Sequence, residues 1–135
     1  MIEIYTDGAS RGNPGKSGAG IYIKDKDKTM KYVAPLSEMT NHEAEFHAVI
    51  TALNICKCKF AHNILSIRTD AKVVVDAMEK NYTGNENFKP LLQEINELKK
   101  HFPFVFIKWI PNKENIHADE LAKLAIESQD LQKIE

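Results

Sequence analysis

The feature that most constrains this chain is a change of hydrophobic period near residue 40. Before it, Ile2, Ile4 and Thr6 alternate with Glu3 and Tyr5, the two-residue repeat of a half-buried strand. Residues 20–23 and 30–33 read as two further strands, joined by a charged tip at 24–28. After it, Phe46, Val49, Ile50, Leu53 and Cys56 recur at helical spacing, and Thr40 or Asn41 can cap the helix that carries them. Residues 64–69 then read as a short strand, 71–80 and 89–101 as helices, 104–110 as a strongly apolar strand and 114–129 as a last helix. The order is β-β-β-α-β-α-α-β-α. Three leading strands form an antiparallel meander, and the later strands return through helical crossovers to lie parallel to the first. The expectation is an α/β fold with a five-stranded mixed sheet flanked by helices. It is expected to fill residues 1–128 as one domain, with a polar tail at 129–135 that frays.

Composition narrows the function classes. The 135 residues are 43% hydrophobic and 27% charged, an ordinary globular balance for a chain of this length. There is no apolar run long enough for a membrane span and no secretory leader pattern, so a cytoplasmic protein is expected. With 18 basic and 19 acidic residues the formal charge is −1, which excludes a domain that binds nucleic acid by bulk positive charge. Cys56 and Cys58 point apart on a helix, so neither a disulfide nor a shared metal is expected. Residues 7–20 hold five of the six glycines and read as a long turn that needs glycine torsions. Within it Gly15-Lys16-Ser17 resembles the end of a phosphate-binding loop. That motif needs glycine where Ser10 stands and a helix after the Lys-Ser pair, and here a strand follows.

Acidic residues carry the chemistry. Asp7 and Asp70 each end a predicted strand, which places both at the carboxyl edge of the sheet if those strands are parallel neighbours. Glu45 shares a stripe with Ala48, Val49, Ala52 and Cys56 and so faces the sheet, whereas Glu43 shares a face with His47 and Asn54 and is expected in solvent. Asp119 opens the last helix beside Ala118, Ala122 and Ala125, small enough for close approach. Each acid alone is explained by turn formation or by a helix dipole. Four converging acids instead suit a pair of divalent ions that activate water and stabilise a leaving oxygen.

These residues resemble type I ribonuclease H, the nuclease that cuts the RNA strand of RNA–DNA hybrids. The resemblance rests on Thr6-Asp7-Gly8-Ala9 with Gly12-Asn13-Pro14-Gly15, on Thr40-Asn41-His42-Glu43-Ala44-Glu45-Phe46, on Thr69-Asp70-Ala71, and on Asn115-Ile116-His117-Ala118-Asp119-Glu120-Leu121-Ala122. The motifs stand in the family's order and extend over nearly the whole chain. They imply a ribonuclease H-like fold and Asp7, Glu45, Asp70 and Asp119 as catalytic ligands of two magnesium ions, with manganese a substitute. They also imply hydrolysis to 3′-hydroxyl and 5′-phosphate ends, and hybrid contacts at Gly8, Ala9, Asn13, Asn41, His42 and Lys72. A monomer without membrane association is expected. Asparagine amides suit a hybrid because they offer donors and acceptors to phosphate, sugar and base, and the 2′-hydroxyl distinguishes RNA from DNA.

Three departures stand out. His42 replaces an asparagine common in the family, and Lys72 lies near a family glutamine. The loop before Asp119 lacks a histidine other than His117, which is expected to turn away, and Glu114 is a candidate for an auxiliary role. Residues 81–90 are too short and neutral for a basic, aromatic protrusion. A ribonuclease H-like binding module with little activity therefore stands as the alternative. Setting the four acids aside leaves 18 basic against 15 acidic residues, a net +3 beside which Arg11, Lys16 and Lys72 could meet a phosphate backbone.

Overall fold

A computed structural model describes residues 1–128 and 130–134. The chain runs β1 (Ile2–Gly12), β2 (Gly15–Asp25), β3 (Lys28–Met39), α1 (Asn41–Lys59), β4 (Leu65–Thr69), α2 (Lys72–Lys80), α3 (Lys89–Lys99), β5 (Val105–Trp109), a short 3-10 turn at Asn112–Glu114, α4 (Ile116–Glu127) and β6 (Gln132–Ile134). The mixed sheet has the order β5-β4-β1-β2-β3-β6. As expected, β1, β2 and β3 form an antiparallel meander, while β4 and β5 add parallel to β1. The sixth strand was not expected. It arises in the polar tail, where residues 132–134 pair antiparallel with β3, so this stretch gains backbone partners along an otherwise open edge. Gln129, the expected end of the last helix, lies outside the described residues.

Helices cover both faces of the sheet. The larger core lies under α1, α2 and α3 and includes Ile4, Ile21, Phe46, Val49, Leu53, Ile67, Val74 and Ile95. A smaller cluster of Val33, Leu121 and Ala125 lies under α4. Helix α1 starts as its sequence dictates. Thr40 accepts from the Glu43 backbone N–H and the Glu43 side chain accepts from the Thr40 backbone N–H, a closed capping box. Glu43 is thereby held at the helix start, and the Thr40 backbone N–H and hydroxyl, both donating to its carboxylate, lower its pKa. Strand β5 departs from its apolar sequence. It is the outer strand, and Phe106 and Trp109 are about half exposed, because an edge strand lacks a neighbour on one side.

The glycine-rich segment needs the largest correction. It is not a long turn: β1 and β2 run as a continuous ribbon, paired from Glu3↔Lys24 to Gly12↔Gly15 and joined by Asn13 and Pro14 alone. Only Gly12 uses a torsion that L side chains avoid, at φ 114°. The other glycines serve close packing. A Cβ on Gly20 would lie 2.2 Å from the Ala118 carbonyl oxygen, and one on Gly8 would lie 2.3 Å from the Ala44 carbonyl group. Helix α4 thus rests on one face of the ribbon and α1 on the other. Cys56 is buried and Cys58 exposed, on different faces of α1. Among the described residues no helix is long and apolar enough to cross a membrane.

Candidate active site

Asp7 lies in the middle of the extended β1, not at its end. Its cross-strand partner is Gly20, and opposite residues share a face, so Asp7 faces α4. The next residue, Gly8, faces α1, where an added Cβ would meet the Glu45 backbone nitrogen at 2.5 Å. The parallel pairing of β1 with β4 runs to Tyr5↔Arg68, and two residues further along that register Asp7 meets Asp70, just beyond the end of β4. Asp119 arrives on the first turn of α4, and its backbone N–H donates to the Asn115 carbonyl at 3.0 Å. The four acids therefore come from β1, α1, the end of β4 and α4, elements separated widely in sequence.

Electrostatics record their convergence. Asp7 is only 8% exposed. Burial first, then the charges of Asp70 and Asp119, a hydrogen bond with Asp70 and the charge of Glu45 together push its pKa up to about 9. Without a cation it therefore holds a proton at neutral pH. Glu45 is also raised, chiefly by burial, while its contact with His42 (Nδ1 to Oε2, 3.2 Å) pulls the other way. Asp119 is tied outward to Lys123 at 3.0 Å. Among the described residues no three His, Cys, Asp or Glu side chains already enclose a metal site. The acids interact at charge–charge range and leave the cluster open. Its donors are carboxylate oxygens, the set that hard divalent cations take, and a cation would offset both the burial and the repulsion that together keep Asp7 protonated. The residues present fit such an ion.

Comparison with known proteins gives the family. The RNase H family model matches residues 1–127. The chain belongs to the ribonuclease H family. It is 42% identical over 130 residues to the putative hydrolase EbsB of Enterococcus faecalis, covering 94% of this chain and 95% of that protein. It is 33% identical over 139 residues to a ribonuclease H of Rickettsia typhi, covering 90% and 88%. The solved structure of LC11-RNase H1 in complex with an RNA/DNA hybrid superposes with a TM-score of 0.87 at 33% identity, covering 94% of this chain and 97% of that one. Family membership implies dependence on divalent metal.

The other sequence candidates divide into those on the surface and those with structural work. Asn41, His42 and Lys72 are exposed near the starts of α1 and α2. Asn13 is exposed too, and its Oδ1 accepts from the Asn41 backbone N–H at 3.0 Å, tying the β1–β2 turn to the start of α1. Gly8 is buried and Ala9 half-buried. Arg11 pairs with Glu127 of α4 at the surface, both side chains being exposed. His117 does turn away, stacking on Tyr22 with ring centroids 4.4 Å apart. Glu114 is exposed at the end of the 3-10 turn.

Sequence reasoning passed over Asn115. It is 1% exposed, its Nδ2 donates to the Thr6 carbonyl at 2.9 Å and to Asp70 Oδ1 at 3.2 Å, and its side chain makes no helix cap. The available signal was an asparagine at the predicted start of a helix, which ordinarily reads as a cap.

Proposed function

We infer that this chain hydrolyses the RNA strand of RNA–DNA hybrids with Asp7, Glu45, Asp70 and Asp119 as its catalytic carboxylates. One observation carries the reading most directly: burial, together with three acids brought in from other elements (Asp70, Asp119 and Glu45), raises the pKa of Asp7 to about 9. These side chains would hold two magnesium ions, for which manganese could substitute. When bound, such ions supply the positive charge that activates water and stabilises the leaving oxygen. Asp7 then gives up its proton and acts as a carboxylate, so loading the site releases protons. Glu45 is held in orientation by His42, and Asp70 by the Asn115 amide.

Hybrid contacts on this reading come from Asn41, His42 and Lys72 and from the free amide nitrogen of Asn13, with Gly8 and Ala9 lining the approach beside Asp7. Family resemblance gives the products as 3′-hydroxyl and 5′-phosphate ends. The reading also takes residues 1–128 as one domain with a short tail, acting as a cytoplasmic monomer.

The deciding assay is cleavage of a labelled RNA–DNA hybrid with magnesium or manganese, with Asp70→Asn as the inactive control and duplex DNA as the resistant substrate. Product ends are read by ligation and phosphatase sensitivity. No product under either metal at high enzyme concentration would sink the reading, and retention of uncut hybrid would move it to a binding module.

A further inference from the structure

We propose that Asn115 is a positioning residue for the carboxylate site, aligning Asp70 against Asp7 and registering α4 on both. The inference rests on the functional reading above and goes beyond it by assigning a role to a residue outside the carboxylate set.

Three contacts made by this one residue support it. Its Nδ2 donates to the carbonyl of Thr6, the residue that precedes Asp7 on β1. The same nitrogen donates to Asp70 Oδ1, just beyond the end of β4. Its backbone carbonyl accepts the N–H of Asp119 on α4. Asn115 therefore joins the elements that carry three of the four acids.

The amide orientation is determined by chemistry. Both groups facing Nδ2 are acceptors, so turning the amide over would set Oδ1 against a carbonyl and a carboxylate. Among the described residues Oδ1 has no hydrogen-bond partner, although it is buried. A buried acceptor left unpaired is unfavourable. A residue kept for helix capping would point its side chain at its own helix, and this one does not. Its donors are directed across the sheet to the site. Charge-assisted donation to Asp70 orients one carboxylate oxygen and leaves the other for a ligand or for Asp7.

Trp109 makes the consequence measurable. It is the only tryptophan in the chain, and its indole N–H donates to the Asp70 backbone carbonyl at 3.3 Å. Its fluorescence therefore reports on the Asp70 segment while the full-length protein is titrated with magnesium alone. Asn115→Ala is expected to raise the magnesium midpoint by about 10- to 100-fold, the range seen when partners behind metal ligands are removed. On a labelled hybrid at saturating magnesium it is expected to lower kcat by about tenfold or more while KM stays within about threefold. A variant with the wild-type midpoint and wild-type kcat overturns the proposal, even if it melts at a lower temperature.

Should Asn115→Ala not fold, an exchange tests the same contact. Asn115→Asp alone sets two carboxylates together, and adding Asp70→Asn restores one donor and one acceptor with their places traded. The Thr6 contact stays lost, so the reading is the coupling: Asp70→Asn is expected to raise melting more on the Asn115→Asp background than on the wild type, and an equal or smaller gain overturns the proposal. Because melting and metal titration need no substrate, they judge Asn115 even where the hybrid assay fails and the functional reading falls.

Discussion

Helices α1 and α4 solve the same problem on opposite faces of the β1–β2 ribbon. Each rests its backbone on a glycine, Gly8 under α1 and Gly20 under α4, and each thereby brings an acid to Asp7. Their acids end in different surroundings. The Glu45 side chain is 16% exposed and its pKa is raised by burial, whereas that of Asp119 is 46% exposed and paired with Lys123. The helix starts differ as well. Helix α1 is closed by the Thr40–Glu43 box, while the residue before α4 spends its side chain on β1 and Asp70. Backbone approach thus sets where an acid stands, and the surrounding side chains set how readily it carries charge.

The comparison breaks first, and most severely, at the glycines. Gly8→Ala and Gly20→Ala should each cost about 3 kcal/mol or more, because the obstructing atoms are helix backbone and the whole helix must back away. Gly84→Ala, whose nearest neighbour would be the Tyr82 hydroxyl at 3.7 Å, is the mild control in urea unfolding. A Gly20→Ala midpoint as mild as that of Gly84→Ala would refute the packing argument.

Acidity sharpens the comparison next. The folded pKa of Asp7 is about 9 against an ordinary 3.8, so between those values the native state keeps a proton that the unfolded chain has lost. Metal-free stability should therefore be highest at the acid end of this window and fall as pH rises from about 4 to about 9. Glu45, also raised, adds a slope of the same sign. Melting temperatures across pH should flatten most in Asp7→Asn and less in Glu45→Gln, and saturating magnesium should flatten the wild type. A wild-type profile that rises with pH across this window contradicts the buried-acid account.

The helix starts give smaller effects. Thr40→Ala removes a cap contact and should destabilise the fold by about 1 kcal/mol, read as a shift in urea midpoint. Lys123→Ala should have the smallest consequence. Its exposed pairing with Asp119 is screened by solvent, so hybrid turnover should change by less than about threefold, with slightly less magnesium needed for half activity. A large loss of turnover in Lys123→Ala would place the lysine inside the catalytic machinery.

Much of this architecture was legible before any coordinates. The period change near residue 40, a helix cap at Thr40 or Asn41 and the inward stripe of α1 were readable because each depends on neighbours a few residues away, whereas the part Glu43 plays in closing that cap was not. The glycine run misled for the opposite reason. The turn itself is two residues long, and Gly8, Gly18 and Gly20 serve helices that begin far along the chain. The sixth strand was equally hidden, since Gln132–Ile134 has little strand signal of its own and gains order by pairing with β3. The half-exposure of Phe106 and Trp109 was hidden too, because an apolar strand does not record whether it has neighbours on both sides.

The same division applies to the site. The amino-acid sequence by itself determined the four acids, their motifs and the ribonuclease H resemblance, because acid identity and local spacing are written along one dimension. Only the tertiary structure decided that Asp7 lies mid-strand, that burial and neighbouring acids hold it protonated, that Arg11 pairs with Glu127 and that Asn115 reaches across to Thr6 and Asp70. Those properties belong to groups distant in sequence. Their strength depends on separation and solvent exclusion, which exist only once the sheet and its two helical faces have packed.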